Sequence, residues 1–193
     1  NTTADNNTAV GYQAGYSNTT GASGTAVGSL ALYSNTTGDE NVAVGREALY
    51  SNTTASDNIA VGRRALYLNT TGTNSVAMGY QALNSNTTAS NNTAVGYQAG
   101  YANTTGDVTA FGSNAARSQT TAVYNTAFGN QTLYTNTGSG NTGFGSLVLY
   151  ANTTGIENVG VGGSLATSAA LRANTTGSYN TSVGAGSLAL NTT

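Results

Sequence analysis

"NIAVGRRALYLNTTGTNSVAMGYQALNSNTT", residues 58–88, states one phrase twice, the second time seventeen residues after the first. N-I-A-V-G is answered by S-V-A-M-G, and A-L-Y-L-N-T-T by A-L-N-S-N-T-T. Self-similarity at a fixed period is the mark of a stacked repeat architecture, so the period is followed first.

The Gly that closes the apolar triplet recurs at Gly11, Gly28, Gly45, Gly62, Gly79 and Gly96, always at seventeen. It continues at Gly112, Gly129, Gly145 and Gly162, at spacings of 16, 17, 16 and 17, and at Gly184 after a gap of 22. The NTT triplet keeps step, with QTT at Gln119 and NTG at Asn136 as degenerate forms. Residues 1–193 are therefore read as one continuous array of eleven units. Single-residue deletions fall in 106–109 and 138–142, and a five-residue insertion lies within 163–173, as a looped-out excursion. Length varies where turns are expected, which a coil-per-repeat structure tolerates.

Residues 41–54, NVAVGREALYSNTT, give the columns of one unit. A polar Asn is followed by a β-branched residue, a tiny residue, a large apolar residue and Gly. Side chains alternate between the faces of a strand, so Val42 and Val44 share one face and Ala43 takes the other. With a tiny column on one side and apolar columns on the other, the strand reads as buried on both faces. The limb REALYSN reads as a second short strand. Gly45 supplies a bend with φ > 0, and Asn-Thr-Thr-Gly is turn chemistry. The expected fold class is all-β: a β-solenoid or β-roll of about eleven 17-residue rungs, with two short parallel-stacked strands per rung. Equivalent residues then stack about 4.8 Å apart, in a rod of roughly 50 Å. So slender a coil has a thin core, and association of chains side by side, as in a trimer around a central axis, would cover its outer apolar face.

Composition narrows the functions. Charged residues are 6% of the chain and the net charge is −2. The five cations are all Arg and form no basic tract, which argues against nucleic-acid binding. No apolar run approaches the ~20 residues of a membrane helix. There is no Cys, His, Lys, Trp or Pro. No thiolate nucleophile, imidazole or amine base is present, and the carboxylates do not converge in an expected pocket, so an enzyme is not expected. No cofactor is implied. The Lys-free, Asn/Thr/Gly-rich composition suits an extracellular location, or a cell or virion surface. Both ends stop inside the NTT motif, which raises the expectation of a longer chain or of ends stacking on ends.

The phrases NVAVGREAL (41–49), NSVAMGYQAL (74–83) and NTAVGYQAG (92–100) resemble the head repeats of trimeric autotransporter adhesins. AVGYQAG (94–100) followed by the NTTG turn (103–106) also resembles repeat regions of phage tail-fibre and related surface proteins. The first resemblance implies a left-handed parallel β-roll in a trimer. The departure is length: the family's unit is commonly a few residues shorter, and the excess here surrounds NTT.

Candidate sites follow the columns. Asn-x-Ser/Thr sequons make Asn18, Asn35, Asn52, Asn69, Asn86, Asn103, Asn152, Asn174 and Asn191 candidates for glycosylation, with Asn6, Asn91, Asn130 and Asn180 besides. The alternative is that Asn and Thr build turns and a hydrogen-bonded ladder. Tyr16, Tyr33, Tyr50, Tyr67, Tyr101, Tyr134 and Tyr150 form a file, interrupted at Asn84 and Arg117, for glycan recognition or for packing; Tyr12, Tyr80 and Tyr97 form a second. Thr ranks raise ice binding, although Thr53 and Thr54 are adjacent and would face opposite ways in a strand. Asp39, Glu40 and Asp57 lie in successive turns and are weighed as a Ca²⁺ site against a solvated turn. Glu47 is expected beside Arg64 in a surface pair. The function expected is a structural extracellular fibre, with copies of itself and possibly glycans as partners. The alternative is an adhesin binding glycans or surfaces through its Tyr and Thr ladders.

Overall fold

The structure is a computed structural model that describes residues 3–164 and 168–193. It is an all-β parallel solenoid with a spacing near seventeen residues. Eleven short strands lie side by side in chain order in one parallel sheet. They are β1 (Thr8–Val10), β2 (Thr25–Val27), β3 (Val42–Val44), β4 (Ile59–Val61), β5 (Val76–Met78), β6 (Thr93–Val95), β7 (Val108–Phe111), β8 (Asn125–Phe128), β9 (Thr142–Phe144), β10 (Val159–Val161) and β11 (Thr181–Val183). No helix occurs among the described residues. The register places Val44 beside Val61 and Ala43 beside Ala60, so the sequence columns are physical files along the axis. The excursion expected near 164–171 includes residues 165–167, which lie outside the described residues.

The strand has one buried face. Its middle residue points inward: Ala43, Ala60, Ala77, Ala94, Ala110 and Ala127 are fully buried. Val42 and Val44 point outward and are half-buried, so the expected second buried face is open along this chain. The tiny residue faces the core because the opposite limb comes close. Where that limb carries Ala48 or Ala65, the strand carries Ala. Where it carries Thr132 and Val148, the strand shrinks to Gly. A Cβ on Gly143 would stand 2.5 Å from Thr132 Cγ2, and one on Gly160 would stand 2.5 Å from Val148 Cγ1. The sum of the two side chains is held, not either one. Gly160→Ala is expected to cost about 1–3 kcal/mol through overpacking. Val148→Ala in the same chain should recover most of that loss by recreating the Ala/Ala pair. A double-mutant cycle in urea with no coupling between the two positions would contradict this packing rule.

The second limb is not a strand, which corrects the expectation of two strands per rung. After Gly45 the chain makes two consecutive turns, closed by Ala48 N–H to Gly45 C=O at 3.2 Å and Asn52 N–H to Leu49 C=O at 3.3 Å. Glu47 and Leu49 have φ of 59° and 49°, in the left-handed region. The same two positions repeat along the limb, with Leu32, Leu66, Leu83, Leu133, Leu149 and Leu171 all near φ 50°. A left-handed Leu costs about 1–2 kcal/mol. The twist turns each Leu side chain into the coil, where Leu49, Leu66 and Leu83 are completely buried, and burial of such a side chain returns about 1.5–3 kcal/mol. The core is thus a file of Leu enclosed by two files of Ala.

Hydrogen bonds run along the axis. Val42 N–H donates to Asn58 C=O and Gly45 N–H to Val27 C=O, at 2.8 and 2.7 Å. The turn limb does the same, with Leu49 N–H to Ala65 C=O and Ser51 N–H to Tyr67 C=O at 3.0 and 3.1 Å. Each coil is tied to the coil on either side, which satisfies backbone that a tight turn would leave bare.

Candidate functional site

The Asn of NTT lies inside the coil. Asn52, Asn69, Asn86, Asn103, Asn152 and Asn174 have no exposed area, and Asn18 and Asn35 retain 8% and 4%. From Asn35 onward each of these Nδ2 groups donates twice. One bond goes to Oδ1 of the Asn one coil earlier, at 2.8–3.3 Å from Asn35 to Asn103. The other goes to the carbonyl three residues ahead, at 2.7–3.0 Å. The ladder resumes from Asn136 through Asn152, Asn174 and Asn191. In the closed coil these amides are buried and hydrogen-bonded, so a sugar on any of them would have to break the ladder. Of the other sequons, Asn6, Asn91 and Asn130 are exposed and Asn180 is half-buried.

A second inner column was legible only as a recurring Asn before the strand. Asn41 Oδ1 accepts Asn58 N–H at 3.1 Å, and Asn58 Oδ1 accepts Ser75 N–H at 3.0 Å. Asn41 Nδ2 reaches Ala55 C=O at 2.7 Å. The first single-residue deletion puts Val108 in this column, and its side chain moves toward the space left by Gly100, which stands where other units have Leu. The polar files break at the same level. Asn92 Nδ2 and Asn103 Oδ1 are buried without a partner there.

The Tyr file is a stack. Centroids from Tyr16 through Tyr33 and Tyr50 to Tyr67 are 5.1–5.3 Å apart, with interplanar angles of 5–19°. Tyr134 and Tyr150 stack at 5.2 Å. At one of its interruptions Arg takes the place of Tyr: the Arg117 guanidinium lies 5.3 Å from the Tyr101 ring and 5.8 Å from that of Tyr134. Arg172 continues the file 5.5 Å from Tyr150. Stacked neighbours use the ring faces, so the file presents ring edges outward, and a sugar stacks on faces. Tyr80 and Tyr97 pair likewise at 5.4 Å, with Arg63 5.7 Å from the Tyr80 ring.

The two Thr of each NTT divide the work. The first donates its Oγ1 to the carbonyl of its equivalent one coil on, at 2.8–3.2 Å from Thr19 to Thr104. The second, represented by Thr37, Thr54, Thr71, Thr88 and Thr105, is exposed. Both stand in a turn, not in a strand.

Glu47 sits beside Arg64 as expected, but not on the surface. Its side chain is 8% exposed and bonds Arg64 Nε from the next coil and Arg46 Nη2 at 2.9 Å. The bond from Arg64 lowers the Glu47 pKa below 4.5; Arg46 adds to the lowering and desolvation opposes it. The same bond raises Arg64. A carboxylate with a lowered folded value stabilises fully above its unfolded value and loses that contribution as pH falls through the folded one. Melting temperature should therefore drop on the acid side below about pH 4.5, and Glu47→Gln should flatten that limb. An acid limb of equal depth in Glu47→Gln would assign the drop to other groups.

Asp39 Oδ1 accepts Ala22 N–H at 2.7 Å and holds a turn. Among the described residues no three His, Cys, Asp or Glu come together in a metal-binding arrangement. A cavity of about 160 Å³ lies at the first coils, where Gly15 and Gly24 replace the Leu and Asn of other units. Asn7, Ala9, Ala26 and Leu32 line it, and no titratable side chain does.

The remaining surface of note is the outward face of the sheet. Ile59, Met78, Phe144 and Val161 are 37–43% exposed on it. Phe111, Phe128 and Phe144 stack at 4.6 and 5.1 Å. No family model matches the chain, and no curated protein or solved structure is significantly similar to it.

Proposed function

We propose that the chain is a structural fibre element of the extracellular space or of a cell or virion surface: a stiff shaft in which each of the eleven sequence units forms one full rung. The reading includes no catalysis. Its partners are further copies of the same chain, side by side or end to end. Support comes chiefly from one observation, the single parallel sheet that carries the same side chains in files from β1 to β11. The polar capacity of the repeat is spent on holding coil to coil. N-linked sugars, in this reading, decorate only the exposed sequons Asn6, Asn91 and Asn130.

Electron microscopy of the purified chain at rising concentration is the test. Rods that thicken or lengthen by association are expected. Discrete single rods at every concentration would overturn the fibre reading.

One observation favours a second reading, an adhesin. The second Thr of the NTT turns, at Thr37, Thr54, Thr71, Thr88 and Thr105, is an outward file of exposed hydroxyls. Loss of glycan or surface binding in Thr54→Val/Thr71→Val would favour it. Loss in Tyr50→Ala/Tyr67→Ala would restore the Tyr file as a recognition surface.

A further inference from the structure

Two consecutive units carry the same charge signature around their strands. Residues 40–46 read E-N-V-A-V-G-R, and residues 57–63 read D-N-I-A-V-G-R. Each sets an acid two residues before its strand and an Arg two residues after it. Because Val42 pairs with Ile59 and Val44 with Val61, Glu40 and Asp57 stack along one margin of the sheet face, and Arg46 and Arg63 along the other. Glu40, Asp57, Arg46 and Arg63 are all exposed. Among the described residues, Glu40, Asp57 and Arg63 are in no ion pair. Between the margins runs the half-exposed apolar file that leads from Val44 and Val61 to the Phe stack.

We propose that this face is covered by a second copy of the chain, parallel and in register, with the Arg46/Arg63 margin of each copy against the Glu40/Asp57 margin of the other. The proposal rests on the fibre reading and adds the face, polarity and register. Two-fold rotation about an axis along the rod keeps every coil opposite its own equivalent. It also exchanges left and right, so acid meets base at both margins. At each level the two outward files then cross over: Phe128 lies opposite Thr126 of the other copy, with the second Phe128 beside it, and Val61 opposite Ile59. The antiparallel alternative brings β3 and β4 opposite β9 and β8. There the flanking residues are Gly140, Ser146, Tyr124 and Asn130, and the charges on both margins lose their partners.

The strip is long enough to matter. Ten steps of about 4.8 Å by a width of about 10 Å give about 500 Å² from each copy, or about 1,000 Å² in all, the size at which a specific contact becomes stable. Exposed charge pairs add modest affinity and chiefly select orientation.

The experiment uses the full chain in sedimentation equilibrium, with a short bismaleimide linking single-Cys variants; the chain has no Cys of its own. Phe128→Cys alone is expected to link to itself. Arg46→Glu/Arg63→Glu should weaken association at least tenfold at low salt, as should Glu40→Arg/Asp57→Arg, and an equimolar mixture of the two should recover it. A Phe128→Cys chain that links only when mixed with a Val61→Cys chain would overturn the parallel register while leaving the fibre reading intact. Undiminished association in Arg46→Glu/Arg63→Glu would overturn the charge-keyed margins. A wild-type chain that forms no side-by-side dimer near 100 μM overturns this inference; if its rods still join end to end the fibre reading stands, and single rods only would overturn both.

Discussion

Gly62→Ala is expected to lower stability by about 3–5 kcal/mol, because two separate penalties fall on one methyl group. The first is local. Gly62 has φ of 132°, a backbone conformation that residues with a Cβ rarely adopt. The second comes from the next coil, whose Gly79 O would stand 2.5 Å and Gly79 C 2.7 Å from the new Cβ. The obstacle is backbone held in a ladder, which has little room to give. Gly184 separates the two penalties. It has φ of 112°, yet nothing lies within 4 Å of its would-be Cβ. Gly184→Ala should therefore lose only the conformational part, about 1–3 kcal/mol. Urea titrations of both variants, read with amide exchange of the coils around position 62, check this. A Gly62→Ala cost no larger than that of Gly184→Ala would mean that the close approach of coils at the bend carries no energy.

Asn69→Asp is the second large effect. Asn69 Nδ2 donates to Asn52 Oδ1 at 3.1 Å and Gly72 C=O at 2.9 Å, while its Oδ1 accepts from Asn86 at 2.9 Å. A carboxylate has the same shape and no donor, so two acceptors would face it in a site with no exposed area. A buried charge left without a partner costs about 3–5 kcal/mol at neutral pH. The introduced carboxyl titrates above its usual range, because burial disfavours the charged form. The deficit should therefore be largest at neutral pH and shrink as pH falls through that raised value. Exposed Asn91→Asp is the control and should change stability by less than about 0.5 kcal/mol. An Asn69→Asp deficit independent of pH between 4 and 8 would mean the side chain escapes to solvent.

Both effects sit on columns that the sequence displays openly, and that is where the fold was most legible. The period, the Gly bend and the NTT turn are each written in residue identity, since only Gly accepts the φ near 130° found there. The turn limb was illegible for the opposite reason. Leu49 and Glu47 are not residues from which a left-handed φ is inferred, and A-L-Y has the look of a strand. What places them there is the gain from a Leu turned into the coil, and that belongs to the stack and not to the local segment.

The Asn column shows the same division. A sequon is defined by neighbours along the chain, whereas the burial of Asn52 is set by Asn35 and Asn69 in the coils on either side. Spacing foretold the Tyr file, but only the ring geometry tells that its faces are taken. Alternation along Val42–Val44 gave two faces. Which one turns inward depended on how near the opposite limb lies, and that is visible in the exchange of Ala for Gly at positions 143 and 160.

The direction of the hydrogen bonds bears on how such a shaft would yield under load. Nearly every bond between coils points along the axis, so tension applied to the two ends opens them one coil at a time, as a zipper does, and never shears them as a group. Each coil that lets go would lengthen the tether by about 51–56 Å, from seventeen residues at 3.3–3.6 Å each less the ~4.8 Å of rod the coil had spanned. A filament of this kind would give way gradually at a low, nearly constant force, and the coils still closed would be the template on which slackened ones rewind.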